Sequence, residues 1–144
     1  MTASNSADHR SVSLSRTAAG RFRAVNARGG EIAIGSGGED ADFTPVELLL
    51  AGIAGCSGID VDILTSRRSD PDTFELTVGA EKVRDEQGNH LTDITLTFRV
   101  IFPDGADGEA ARAVLPDAVR KSHERLCTVS RTVELPTPVA VHLD

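Results

Sequence analysis

The chain of 144 residues is long enough to bury one core and too short for two ordinary domains. With 40% hydrophobic and 26% charged residues it reads as globular, and a net charge of −7 argues against a nucleic-acid partner, whose phosphates need concentrated Lys and Arg. Five Phe and no Trp or Tyr leave no stacking platform for bases or sugars, and predict a core and pockets lined by Leu, Ile and Val.

The opening segment MTASNSADHR is polar, without the apolar region of a secretory signal, and no apolar run of about 18 residues suggests a membrane span. The expectation is a cytoplasmic protein with no membrane partner, a disordered tail over residues 1–10 and a single domain over 11–144. Arg16, Arg21, Arg23 and Arg28 read as solvated strand charges, and Arg67–Arg68 as a helix end.

Ser11–Thr17, Arg21–Asn26 and Glu31–Gly35 alternate apolar and polar residues between Gly-rich breaks, which predicts a meander of three strands. Gly35–Asp42 is a flexible acidic loop. Thr44, Pro45 and Glu47 form a capping box that opens a helix running to Ser66, and Phe43 with Leu48 can staple its start. The helix is apolar nearly all round, so burial on most sides is expected. Gly52, Gly55 and Gly58 each weaken it, which calls for another backbone close by and for a second subunit covering part of the helix. Thr73–Val83 and Leu91–Phe102 form a hairpin about the turn Asp85–Asn89. Glu109–Leu126 is an amphipathic helix that Pro116 kinks or divides. Ser130–Leu135 and Val139–Leu143 read as closing strands. The order βββ-α-ββ-α-ββ makes an α+β domain.

Two cysteines carry the chemistry worth testing. They are too few for a disulfide framework or a Cys-rich zinc site, and neither CxxC nor HExxH occurs, so no metal or cofactor is expected. Two readings of Cys56 and Cys127 stand side by side: inert buried hydrophobes, or a redox pair. Small neighbours (Ala54, Gly55, Ser57, Gly58) leave room at Cys56, and a helix end lets Cys127 move. His123 could act as a base for Cys127 but reads better as a surface or hydrogen-bonded histidine. Asp60 and Asp62 match a metal pair only in composition, and Ser57 fits helix packing better than nucleophilic attack.

TPVELLLAGIAGCSGIDVDIL resembles the central helix of the OsmC/Ohr family. SHERLCTVSRTVE resembles its second cysteine region, with a His before the Cys and a Ser three after it. The resemblance spans about Ser11 to Leu143 and is closer to the OsmC-like branch than to the dedicated peroxidases. It implies an intertwined homodimer with a buried central helix. It also implies thiol-dependent reduction of small apolar hydroperoxides: Cys56 attacks as thiolate and Cys127 resolves the sulfenic acid. An external dithiol or a lipoylated protein would then reduce the disulfide.

The family lowers the pKa of the attacking thiol with an Arg from the first β region, here Arg21 or else Arg23, and a carboxylate that orients it. The strongest peroxidases place Glu ten residues before the Cys, where this chain has Val46; Glu47 stands nine before it. Nine residues turn a helix roughly 180° and rise about 13 Å, so Glu47 is either the helix cap or an Arg-orienting group across antiparallel helices. Asp60, on the helical face of Cys56, would raise its pKa. The alternative implied by the branch is a non-catalytic stress protein that binds a small apolar ligand in the dimer cleft.

Overall fold

A computed structural model of the chain describes residues 7–144, so most of the tail expected over 1–10 lies outside the described residues. The chain divides into two compact units, one up to Leu48 and one from Leu49 to Asp144.

In the first unit β1 (Val12–Ala18), β2 (Arg21–Asn26) and β3 (Glu31–Ile34) form an antiparallel sheet in the order β1-β2-β3. Ala24 faces Leu14 on one side and Ile32 on the other, as the alternation predicts. The β2–β3 turn is held by the Asn26 side chain, which accepts from the backbone N–H of Arg28 (3.0 Å) and Gly30 (2.8 Å). The acidic loop after β3 folds around Asp40, whose carboxylate occupies the place a Cβ at Gly35 would need.

Helix α1 (Pro45–Ser66) starts at the predicted capping box. The Thr44 N–H donates to Glu47 Oε1 at 2.9 Å, and the Glu47 N–H donates to Thr44 Oγ1 at 3.2 Å. One sequence expectation is met only in part within a single chain, and another fails. The helix is buried along one stripe, Ile53, Ser57, Gly58, Val61 and Thr65, while Leu49, Ile59 and Ile63 are exposed. It is also long and apolar enough to cross a membrane, with a mean hydropathy of 1.6 over an 18-residue window, although Asp60 and Asp62 would be costly at the centre of a bilayer. Among the described residues its glycines are not met by another backbone. A Cβ at Gly58 would lie 3.2 Å from the Leu76 side chain, one at Gly52 would lie 3.8 Å from Val129, and one at Gly55 would meet nothing.

In the second unit β4 (Thr73–Asp85) and β5 (Gly88–Ile101) form the hairpin, with Asp85 Oδ1 accepting from the Gln87 N–H at 2.8 Å inside its two-residue turn. Phe74 and Phe98 meet edge to face, their centroids 6.2 Å apart. Helix α2 (Ala106–Lys121) runs through Pro116 without dividing; losing one N–H removes a single bond from a ladder that continues on both sides. The irregularity comes later, as a π turn over Ser122–Leu126.

The two closing strands are the main correction. Ser130–Leu135 lies mostly within a third helix, α3 (Thr128–Glu134), and Val139–Leu143 pairs with no strand among the described residues. TVSRTVE alternates like a strand, but packing overrides β propensity. Cys127 caps the helix, and Val129 and Val133, one turn apart, turn toward Gly52 and toward a cavity of the second unit. The described elements therefore run βββ-α-ββ-α-α, and the α+β class stands.

Candidate functional site

Both cysteines are reduced and adjacent. Cys56 presents its sulfur from the middle of α1, half-buried, while Cys127 is 1% exposed at the junction of the π turn and α3. Cys56 Sγ, Cys127 Sγ and a carboxylate oxygen of Asp60 all lie within 4.8 Å of one another. α1 brings Cys56 and Asp60 to one face because they are four residues apart. The π turn delivers Cys127: its N–H donates to the Ser122 carbonyl at 2.8 Å, closing the five-residue loop.

Three buried serines line the cluster. Ser57 Oγ donates to Cys127 Sγ at 3.4 Å, the Ser130 N–H donates to the same sulfur at 3.4 Å, and the Ser130 hydroxyl lies 3.2 Å away. Ser122 Oγ donates to Asp60 Oδ2 at 2.9 Å. By sequence Ser57 fits helix packing, Ser130 stands out only through the family resemblance, and Ser122 carries no signal of its own. The available signal is a small hydroxyl residue close to each cysteine, Ser57 beside Cys56 and Ser130 three after Cys127.

The two thiols differ. Burial pushes Cys56 up, the Val129 backbone amide works against this, and the neighbouring sulfur and Asp60 push it further up. Burial also pushes Cys127 up, but the Ser130 and Ser57 hydroxyls, the Ser130 N–H and the Cys56 thiol outweigh it, leaving Cys127 below an ordinary thiol. The surroundings therefore favour ionisation of Cys127 over that of Cys56.

The remaining predicted residues lie as follows. Arg21 is held by Asp40 (3.2 Å) and Asp42 (3.6 Å), so its carboxylates come from the acidic loop. Glu47 is occupied by the helix cap. His123 pairs with Glu134 at 3.3 Å on the exposed surface. Ser57 and Ser130 also line a cavity of about 330 Å³ walled mainly by Ile53, Leu96, Phe98 and Val133.

Residues 37–142 match the family described as OsmC-like protein. Protein YhfA of Escherichia coli K12 is 33% identical over 114 residues, covering 78% of this chain and 81% of its own. A hypothetical protein from Aquifex aeolicus is 26% identical with a TM-score of 0.70, covering 89% of both chains. The organic hydroperoxide resistance protein OhrB of Bacillus subtilis, 17% identical, shares the fold with a TM-score of 0.59 over 88% of this chain and 91% of its own. With most of its length matched and the same α+β fold, the chain belongs to the OsmC-like family.

Proposed function

We propose that the protein is a thiol-dependent hydroperoxide reductase that cycles Cys56 and Cys127 between dithiol and disulfide. The observation that carries this reading is the adjacency of the two sulfurs, within 4.8 Å of each other; Ser57 and Ser130, which bond Cys127 Sγ, line an apolar cavity. Hydroperoxide resistance in a protein of the same fold supports it. The cavity suits a small apolar hydroperoxide. An external dithiol or a lipoylated protein would restore the thiols in the cytoplasm, where thiols are kept reduced. Residues 11–144 act as one domain in this reading, because the family match crosses Leu48.

The pKa order gives each sulfur a task. In the reactive form Cys127 has lost its proton and takes that of the neighbouring Cys56. The Cys56 thiolate attacks the distal peroxide oxygen, the O–O bond breaks, and Cys56 becomes a sulfenic acid. The departing alkoxide receives the proton held by Cys127 and leaves as alcohol. The Cys127 thiolate then attacks the sulfenic sulfur, forming the disulfide and expelling hydroxide, which solvent protonates to water. Arg21, oriented by Asp40 and Asp42 in place of Glu47, is proposed as the cation that favours the Cys56 thiolate; Glu47 is assigned to the cap. The exposed apolar face of α1 is proposed to be covered by a second copy.

One observation favours a second reading, a non-catalytic binder of a small apolar ligand: the raised pKa of Cys56, beside Asp60, disfavours a nucleophile. One equivalent of cumene hydroperoxide added to the reduced protein separates the two. Rapid loss of two thiols per chain, with a sulfenic acid trapped at Cys56 in Cys127→Ser, is the expected result. Intact thiols after minutes would leave the binder.

A further inference from the structure

We infer that Cys56, Asp60 and Cys127 form a binding site for a thiophilic divalent cation, Zn²⁺ in particular, in the reduced protein. The sequence offers no metal motif because the ligands come from two distant segments, a helix face and the junction of a π turn with α3. Folding brings one ligand atom from each within 4.8 Å of the others. With metal–sulfur bonds of about 2.3 Å, two sulfurs on a tetrahedral zinc stand about 3.8 Å apart, so small side-chain adjustments close the site.

The surroundings are those of a ligand set. Ser122 Oγ fixes Asp60 by its 2.9 Å bond to Oδ2, leaving the other oxygen available. Ser57 and Ser130 fix Cys127 and stabilise its thiolate. The Val129 amide favours the thiolate of Cys56. Hydrogen bonds of this kind orient ligands and set metal affinity. Two thiolates and a carboxylate in so small a space repel one another, and a dication relieves that repulsion. Cys56 and Asp60 are half-buried, which gives the ion a route in, and the fourth position is open to water.

Binding forms two metal–sulfur bonds and releases the two thiol protons to solvent; no electrons move. Metal and disulfide exclude each other, since both use the same two sulfurs. Zinc would thus withdraw the pair from redox chemistry reversibly.

The inference needs the three ligands to be adjacent, not the pair to turn over, so its test contains no oxidant. Reduced full-length protein is titrated anaerobically with Co²⁺ and followed by thiolate-to-cobalt charge-transfer absorption, with Zn²⁺ as competitor. The expected result is one ion per chain, two protons released, displacement by Zn²⁺, and no band in Cys56→Ser or Cys127→Ser. Asp60→Asn and Ser122→Ala should each weaken binding at least about tenfold. Far-UV circular dichroism checks folding, and Ser122→Ala carries the ranking if Asp60→Asn does not fold. Absence of the band in wild type overturns the site, as does undiminished affinity in the folded variants. Failure here leaves hydroperoxide-driven thiol loss untouched, and the reverse also holds.

Discussion

Cys127 and Cys56 touch the same cluster from opposite kinds of surroundings. Cys127 is enclosed, capped by its own helix and hydrogen-bonded by Ser57 and Ser130. Cys56 lies on the side of α1 that the chain leaves open, with Ile59 and Ile63 63% and 52% exposed one and two turns further on. One sulfur is thus specified completely by its own chain, and the other is specified only in part. The enclosed sulfur suits proton storage and resolution, and the open one suits contact with substrate and partner. Proximity alone does not assign chemistry; the hydrogen bonds around each atom do.

The largest expected effect comes from removing either sulfur. Cys127→Ser abolishes disulfide formation and leaves a sulfenic acid on Cys56, while Cys56→Ser abolishes rapid oxidation, both read by mass spectrometry after dimedone trapping. A sulfenic acid trapped on Cys127 in Cys56→Ser would reverse the two roles. Next in size is Ser130→Ala, which deletes a hydroxyl from the Cys127 thiolate. Hydrogen bonds to charged groups contribute about 1.5–3 kcal/mol, so oxidation at neutral pH should slow by about tenfold or more. The sign is fixed by the chemistry. Removing a donor to the thiolate raises the Cys127 pKa, so the rate–pH profile shifts to higher pH and wild-type rates return in alkali. An unshifted profile would mean that ionisation of Cys127 does not gate the reaction.

The open side is tested by Ile63→Asp. In the proposed homodimer a charge there must lose water on assembly, so analytical ultracentrifugation should find wild type at twice the chain mass and the variant as a folded monomer. A wild-type monomer at micromolar concentration would remove the partner from the account of Cys56.

Much of this was legible in the sequence. The meander, the capping box and the hairpin follow from alternation and from turn and cap residues, and these signals are local. The two cysteine contexts were legible by resemblance. What could not be read depends on long-range packing. Thr128–Glu134 alternates like a strand, and only the docking of Val129 and Val133 makes it a helix. The roles of Ser57, Ser122 and Ser130 need partners brought together by folding; Ser57 and Cys127 are 70 residues apart. Asp40 and Asp42 lay in a loop read only as flexible and acidic, yet they hold Arg21.

The smallest effect asks whether Cys56 also draws on Glu47. Both functional groups of the capping box are engaged, the Thr44 hydroxyl by the Glu47 N–H and the Glu47 carboxylate by the Thr44 N–H. Glu47→Gln keeps an acceptor at that place and removes only the charge. It should therefore leave both the melting temperature and the rate of thiol oxidation near wild type. Thr44→Ala should lower stability by about 1 kcal/mol, the usual effect of losing an N-cap side chain, again at unchanged rate. Slow oxidation by a Glu47→Gln protein of normal stability would show that the charge acts on the reaction. The open sulfur would then depend on a carboxylate that the cap alone does not account for.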